Sequence, residues 1–232
     1  MTNTNHNIFL ETHEIETRES VTASVIWLHG LGADGYDFAP IVPELKLPNQ
    51  FGVRFVFPHA PVRPVTLNNG YPMRAWFDIV SLGGGKTNLD IAGAKQSANQ
   101  IKQLIVRENQ RGVSNNRIIL AGFSQGGTIA LYAGLTYAER LGGILALSTF
   151  LPPVDNLAEE FTKVNQNIPI FLAHGVQDDV LPLTMGQATK IMLENYGYVC
   201  GWHTYNMAHS VSPTEINDIS RWLTDVLTNK RD

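Results

Sequence analysis

The stretch Gly122-Phe123-Ser124-Gln125-Gly126 sets a serine between two glycines, directly after the apolar run RIILAGF (117–123) and directly before the apolar stretch GGTIALYAGLTYAERLG (126–142). A serine in G-x-S-x-G at a strand-to-helix turn has the position of an activated nucleophile. The turn strains the backbone and presents the hydroxyl, and the flanking glycines let neighbouring backbone approach without a Cβ clash. A serine hydroxyl needs a base, and the base needs an orienting acid. In the order Ser, Asp, His that goes with such a turn, HGVQDDVLP offers Asp178 and Asp179 after the apolar run IPIFLAH (168–174), and AHSVSP offers His209 after GWHTYNM (201–207). Spacing does not separate two adjacent carboxylates, so both stand as the acid. The chemistry expected is acyl transfer through a covalent intermediate.

A tetrahedral oxyanion also needs two preorganised N–H donors. Gln125, the residue after the serine, is expected to supply one, and Leu31, in the loop of SVIWLHGLGADGYDF (24–38), the other. Gly30, Gly32 and Gly35 in that loop also spell G-x-G-x-x-G, the dinucleotide fingerprint. That reading fails on context. The following YDFAPIVPELKLP carries prolines at 40, 43 and 48, which leaves room only for a short, interrupted helix, and the next strand ends FVFPHA, with no acidic residue for a ribose. LGGGKTN (82–88) is not a P-loop, because Val80 stands where its first glycine is required.

These residues need elements to hold them. SVIWLH (24–29), RFVFP (54–58), RIILAGF (117–123), GILALS (143–148) and IPIFLAH (168–174) are short and apolar at nearly every position, as strands buried on both faces are. IFLETHEIETRES (8–20) and GWHTYNM (201–207) alternate, the first suiting antiparallel pairing at a sheet edge, the second a late strand. Between them lie helical patterns. LDIAGAKQSANQIKQLIVRENQ (89–110) places Ile91, Ala94, Ala98, Ile101, Leu104 and Ile105 on one stripe, with Gly112 as its stop. The stretches at 126–142, 183–197 and 212–230 are expected to be helices too, the last with Ser212 as N-cap, Pro213 in its first turn and Glu215 three residues on. The alternation predicts an α/β chain, a mostly parallel central sheet with helices on both faces, in a single domain over 1–232. Residues 59–89 break it with Pro, Gly and Asn throughout, as a long binding segment or flap would. Within it Trp76 and Phe77 suit either an acyl-pocket wall or the core, and Leu82 with GGGK a flap over a substrate.

Composition narrows the partners. The 232 residues carry a net charge of −4 and are 16% charged and 44% hydrophobic, which excludes the basic footprint of a nucleic-acid binder. A chain of this length buries about 70% of its unfolded surface and needs no disulfide or metal to fold. The one cysteine, Cys200, is read as a small core residue, and its solitude favours a reducing compartment. No start resembling a secretory signal and no apolar run of about 20 residues is found, so the expectation is a soluble, cytoplasmic protein. No histidine pair has zinc spacing. His29 and His174, each ending a strand before Gly, are expected to bind loop backbone; His59 sits in a turn, His203 in a strand, and His6 and His13 are exposed or structural.

In that order, LHGLGADGYDF, RAWFDI, GFSQGGTIAL, HGVQDDVLP and MAHSVS resemble the phospholipase/carboxylesterase family, the carboxylesterase and acyl-protein thioesterase branch of the α/β-hydrolases, over about Ser24 to Leu227. The resemblance implies the α/β-hydrolase fold, Ser124 as nucleophile, His209 as base, Asp178 rather than Asp179 as its partner, and Leu31 and Gln125 as oxyanion donors. It implies hydrolysis of carboxylic esters, often with short or medium acyl chains, and of thioesters or lysophospholipids in some members, with no cofactor; homodimers occur in the family, and the low charge fraction suits an apolar mouth open to transient contact with a membrane surface. Where many members have proline after the acid, this chain has Asp179.

Overall fold

The computed structural model describes residues 9–81, 88–152 and 157–229. In chain order the strands are β1 (Thr12–Glu16), β2 (Ala23–Leu28), β3 (Val53–Pro58), β4 (Val62–Val65), β5 (Tyr71–Arg74), β6 (Ile79–Ser81), β7 (Asn88–Leu89), β8 (Ile118–Phe123), β9 (Gly143–Leu147), β10 (Ile170–Gly175) and β11 (Cys200–Tyr205). The α-helices are α1 (Ile41–Glu44), α2 (Ile91–Gln110), α3 (Gln125–Leu135), α4 (Leu183–Asn195) and α5 (Pro213–Thr228).

Seven strands form one sheet in the order β1-β3-β2-β8-β9-β10-β11. Every pairing is parallel except β1 with β3 at one edge. The central strands are buried at nearly every residue, which is why their sequences are continuous apolar runs. Alternate side chains go to opposite cores. Ile26, Leu28, Leu120 and Ile144 face α2 and α3, while Val25, Trp27, Ile119 and Leu145 face Ile41 of α1 and Ile219, Leu223 and Leu227 of α5. Full burial of each such side chain contributes about 1.5–3 kcal/mol. At the edges β1 and β11 are only partly covered and their sequences alternate.

The stretch expected to be irregular contains two small hairpins, β4 with β5 and β6 with β7. Helix α3 stops at Leu135, seven residues short of the apolar run that announced it. The stop comes from outside the segment: Asn165 Nδ2 donates to the carbonyls of Gly134, Tyr137 and Glu139 at 3.2, 3.1 and 2.9 Å. Helix α5 starts where its sequence says, with Ser212 Oγ accepting from Glu215 N–H and the Glu215 carboxylate accepting from Ser212 N–H. Because β3 lies on one side of β2 and β8 on the other, the chain order reverses between β2 and β8. In a parallel α/β sheet the cleft beyond the carboxyl ends of the strands at that point is where ligands bind.

Candidate active site

Ser124 sits in that cleft, between the end of β8 and the first residue of α3, with φ 54° and ψ −123°. A non-glycine residue in so sparsely populated a region costs about 1–3 kcal/mol, so the surroundings must fix it. Its N–H donates to Leu147 O at 2.9 Å, and its carbonyl accepts from Thr149 Oγ1–H at 2.6 Å and Gly127 N–H at 3.0 Å. The two glycines of the pentad are required by contact: a Cβ on Gly122 would lie 2.3 Å from Gly126 O, and one on Gly126 would lie 2.5 Å from both Leu28 O and His29 O.

The loop after β11 brings His209 Nε2 to 2.9 Å from Ser124 Oγ, and the loop after β10 brings Asp178 Oδ2 to 2.7 Å from His209 Nδ1. Asp178 is buried, and its Oδ1 accepts the N–H groups of Val180 and Leu181 at 3.0 and 2.8 Å. A carboxylate held this way accepts a hydrogen bond from His209 Nδ1–H, which leaves Nε2 to accept one from the Ser124 hydroxyl. Asp179, one residue on, is exposed. Beneath the pair, buried His174 places Nε2 2.8 Å from Leu181 O and 3.5 Å from Asp178 Oδ2, bracing the turn that carries the carboxylate.

Leu31 and Gln125 border the same cavity as Ser124. Leu31 is placed by Gly32 N–H donating to Arg74 O at 2.9 Å and Ala33 N–H donating to Gly30 O at 3.3 Å. Gln125 opens α3, where first-turn N–H groups have no intrahelical acceptor. Among the described residues, no acceptor meets the backbone N–H of either.

The cavity measures about 350 Å³, and most of its wall is apolar, from Leu67, Phe77, Ile79, Leu89, Phe150 and Leu181. Of the aromatic pair singled out in the sequence, Phe77 is on this wall. Trp76 is not: it is fully buried behind it. Its indole N–H donates to His29 O at 2.9 Å, its backbone N–H to Gln125 Oε1 at 2.7 Å, and its carbonyl accepts from Ser97 Oγ–H. Leu82 and the GGGK run that follows it lie outside the described residues. Among the described residues, Asp37 is the one ionisable side chain besides His209 at the cavity, and its carboxyl is pushed upward by burial and by neighbouring Asp34.

Sequence reasoning missed the Gln125 side chain, which clamps Trp76 N–H and donates to Phe77 O at 2.8 Å. No local signal marks it, since its partners lie 48 and 49 residues away. Cys200 is half-buried, and desolvation pushes its thiol up to about 12, far from a reactive thiolate. Among the described residues no helix is long and apolar enough to cross a membrane.

A serine, an imidazole and a carboxylate in hydrogen-bonded series, with two bare N–H groups beside the serine, can activate a hydroxyl and receive a developing oxyanion. Comparison with known proteins agrees with that chemistry. A profile of the phospholipase/carboxylesterase family matches residues 11–227. Acyl-protein thioesterase 1 of Gibberella zeae is 38% identical over 217 residues, covering 90% of this chain and 92% of its own. The crystal structure of SOBER1 from Arabidopsis thaliana superposes with a TM-score of 0.84 at 30% identity, covering 89% of this chain and all of that one. Acyl-protein thioesterase 2 of Zea mays does so with a TM-score of 0.82 at 28% identity, over 94% of this chain and all of that one.

Proposed function

Because the chain belongs to the phospholipase/carboxylesterase family, and is a hydrolase acting on esters or thioesters, we propose that it works as a serine hydrolase through Ser124, His209 and Asp178. The observation that carries this is the unbroken series Ser124 Oγ, His209, Asp178, with contacts of 2.9 and 2.7 Å. In the first half-reaction Ser124 Oγ attacks the acyl carbonyl and its proton passes to His209 Nε2. Asp178 holds the Nδ1–H and stabilises the imidazolium. The N–H groups of Leu31 and Gln125 receive the oxyanion. As the tetrahedral adduct collapses, the bond to the alcohol or thiol breaks and His209 gives that group its proton. Water then attacks the acyl-serine by the same route and frees the carboxylic acid.

The apolar wall from Leu67 to Leu181 suits an acyl chain, of short to medium length and held as an ester or a thioester. The relatives named above as acyl-protein thioesterases support an acylated cysteine as one substrate form, and lysophospholipids are a further member of the class. We place the enzyme in the cytoplasm, where a chain with one cysteine is at home, with brief visits to a membrane surface and a homodimer as its working form.

Labelling with a fluorophosphonate probe and turnover of p-nitrophenyl acyl esters test the reading. The probe should label Ser124, and Ser124→Ala should lose labelling and about 10⁶-fold in kcat. Undiminished turnover by folded Ser124→Ala would reject the proposal. A chain-length series of esters and thioesters, compared as kcat/KM, then defines the preferred acyl group.

A further inference from the structure

We propose that His29 and His59 are positioning residues that hold the oxyanion loop, residues 30–35, in its donor geometry, His29 by donating Nδ1–H to Gly30 O while its bare Nε2 accepts from Ala60 N–H, and His59 by accepting from Gly35 N–H at the far end. The inference rests on the acyl-transfer reading above and adds to it a role for two imidazoles outside the Ser124 series.

His29 Nε2 lies 3.1 Å from the backbone nitrogen of Ala60, and its Nδ1 lies 2.7 Å from Gly30 O. Ala60 N–H can only donate and Gly30 O can only accept. The ring therefore has one arrangement, with the proton on Nδ1 and Nε2 bare. The acceptor of that Nδ1–H is what matters for the site. Gly30 C=O and Leu31 N–H belong to the same planar trans peptide, so the bond that fixes the carbonyl on one side aims the N–H on the other. At the far end of the loop Gly35 N–H donates to His59 Nδ1 at 3.1 Å. Both imidazoles are buried.

A cross-brace joins the two donors of the oxyanion site. His29 O accepts the Trp76 indole N–H at 2.9 Å, and Trp76 N–H is held by Gln125 Oε1 at 2.7 Å. Leu31 and Gln125 are thereby tied to each other through His29 and Trp76. The surroundings keep His29 uncharged. Burial pushes its pKa down to about 4; His59 and Arg74 act in the same direction, while Asp34 and the Gly30 carbonyl oppose it. Protonated His29 would turn an N–H toward Ala60 N–H and release the clamp.

The test separates positioning from folding. His29→Leu removes the donor to Gly30 O and the acceptor for Ala60 N–H, His59→Leu removes the acceptor for Gly35 N–H, and both keep bulk. His29→Asn restores a donor at the δ position opposite Gly30 O. Sites are counted by prolonged fluorophosphonate titration, and kcat and KM for p-nitrophenyl butyrate are measured with the inhibition constant of a trifluoromethyl ketone, which forms a tetrahedral adduct. The leucine variants should lose about 10–10²-fold in kcat per titrated site, with KM changed less than about twofold and ketone binding weakened in parallel. His29→Asn should recover most of that loss. Ring ¹⁵N spectra of the wild-type enzyme should show His29 protonated at Nδ1 and bare at Nε2. This measurement decides the case even where a leucine variant does not fold. An Nε2–H tautomer, or folded leucine variants within about threefold of wild type in kcat, would overturn the inference. Failure of the underlying reading has a different signature, namely a wild-type enzyme that the probe does not label.

Discussion

Replacing Gly126 by alanine would put a methyl carbon 2.5 Å from the carbonyl oxygens of both Leu28 and His29. Carbon and carbonyl oxygen settle at about 3.3 Å or more, so one side must yield by about 0.8 Å. The two oxygens belong to the last residue of β2 and to His29, which leads into the loop at 30–35. The strand is bonded on both sides, to β3 and β8. The displacement therefore falls on the first turn of α3, which carries Ser124 Oγ and Gln125 N–H. A misplacement near 1 Å costs about 10²-fold in rate, or about 2.7 kcal/mol of transition-state stabilisation. Gly134→Ala, in the same helix, is the control. Its added carbon would meet Ile144 Cδ1 at 2.6 Å, the end of a side chain that can turn aside. It should destabilise by about 1–3 kcal/mol through overpacking and leave turnover per site unchanged. Thermal unfolding and kcat/KM for p-nitrophenyl butyrate on titrated sites distinguish the two. A folded Gly126→Ala enzyme within about threefold of wild-type kcat/KM would refute the reasoning, because the stated overlap would then have been absorbed without moving the site.

Asp178→Asn should lower kcat by about 10³–10⁴-fold while Asp179→Asn stays within about twofold; the opposite ranking in a side-by-side kinetic comparison would unseat Asp178. Burial raises the carboxyl of Glu215 to about 8 from its ordinary 4.5. The folded state thus holds a proton that the unfolded chain releases, so stability falls as pH rises between about 4.5 and about 8. Glu215→Gln, which can still close the capping box, should flatten that decline in urea midpoints, and parallel wild-type and variant curves would contradict it. Asp37 at the cavity edge should disfavour anionic leaving groups. Asp37→Asn should raise kcat/KM for a phosphate-bearing ester relative to a neutral one by about two- to fivefold at low salt, and an unchanged ratio would count against a role for that charge.

Sequence made the sheet readable because its central strands are buried on both faces and so carry no polar alternation to mislead. Val25 and Ile26 go to opposite cores yet are equally apolar. The elbow was readable because Gly122 and Gly126 are imposed by contacts that no side chain could survive. What was illegible depends on partners distant in the chain. Asn165 ends α3 from 26–31 residues away. Trp76 is equally apolar as wall or as core, and only its three hydrogen bonds to His29, Gln125 and Ser97 put it behind the cavity. The choice between Asp178 and Asp179 turns on which side of a short loop faces inward, which periodicity cannot supply where there is no repeating structure. The hairpins inside 59–89 were masked by Pro61, Pro64 and Pro72, which edge positions of two-stranded ribbons tolerate.

Gln125 borders the cavity beside Ser124, and its side chain grips the backbone of Trp76 and Phe77. A single residue thus reports on whether the excursion between the third and eighth strands has been laid down correctly. Trp76 N–H and Phe77 O, both in that excursion, are what hold the amide of residue 125 in register. Competence is thus a joint property of two segments some fifty residues apart, and a nick or insertion in the excursion reaches the first turn of α3 through these two hydrogen bonds.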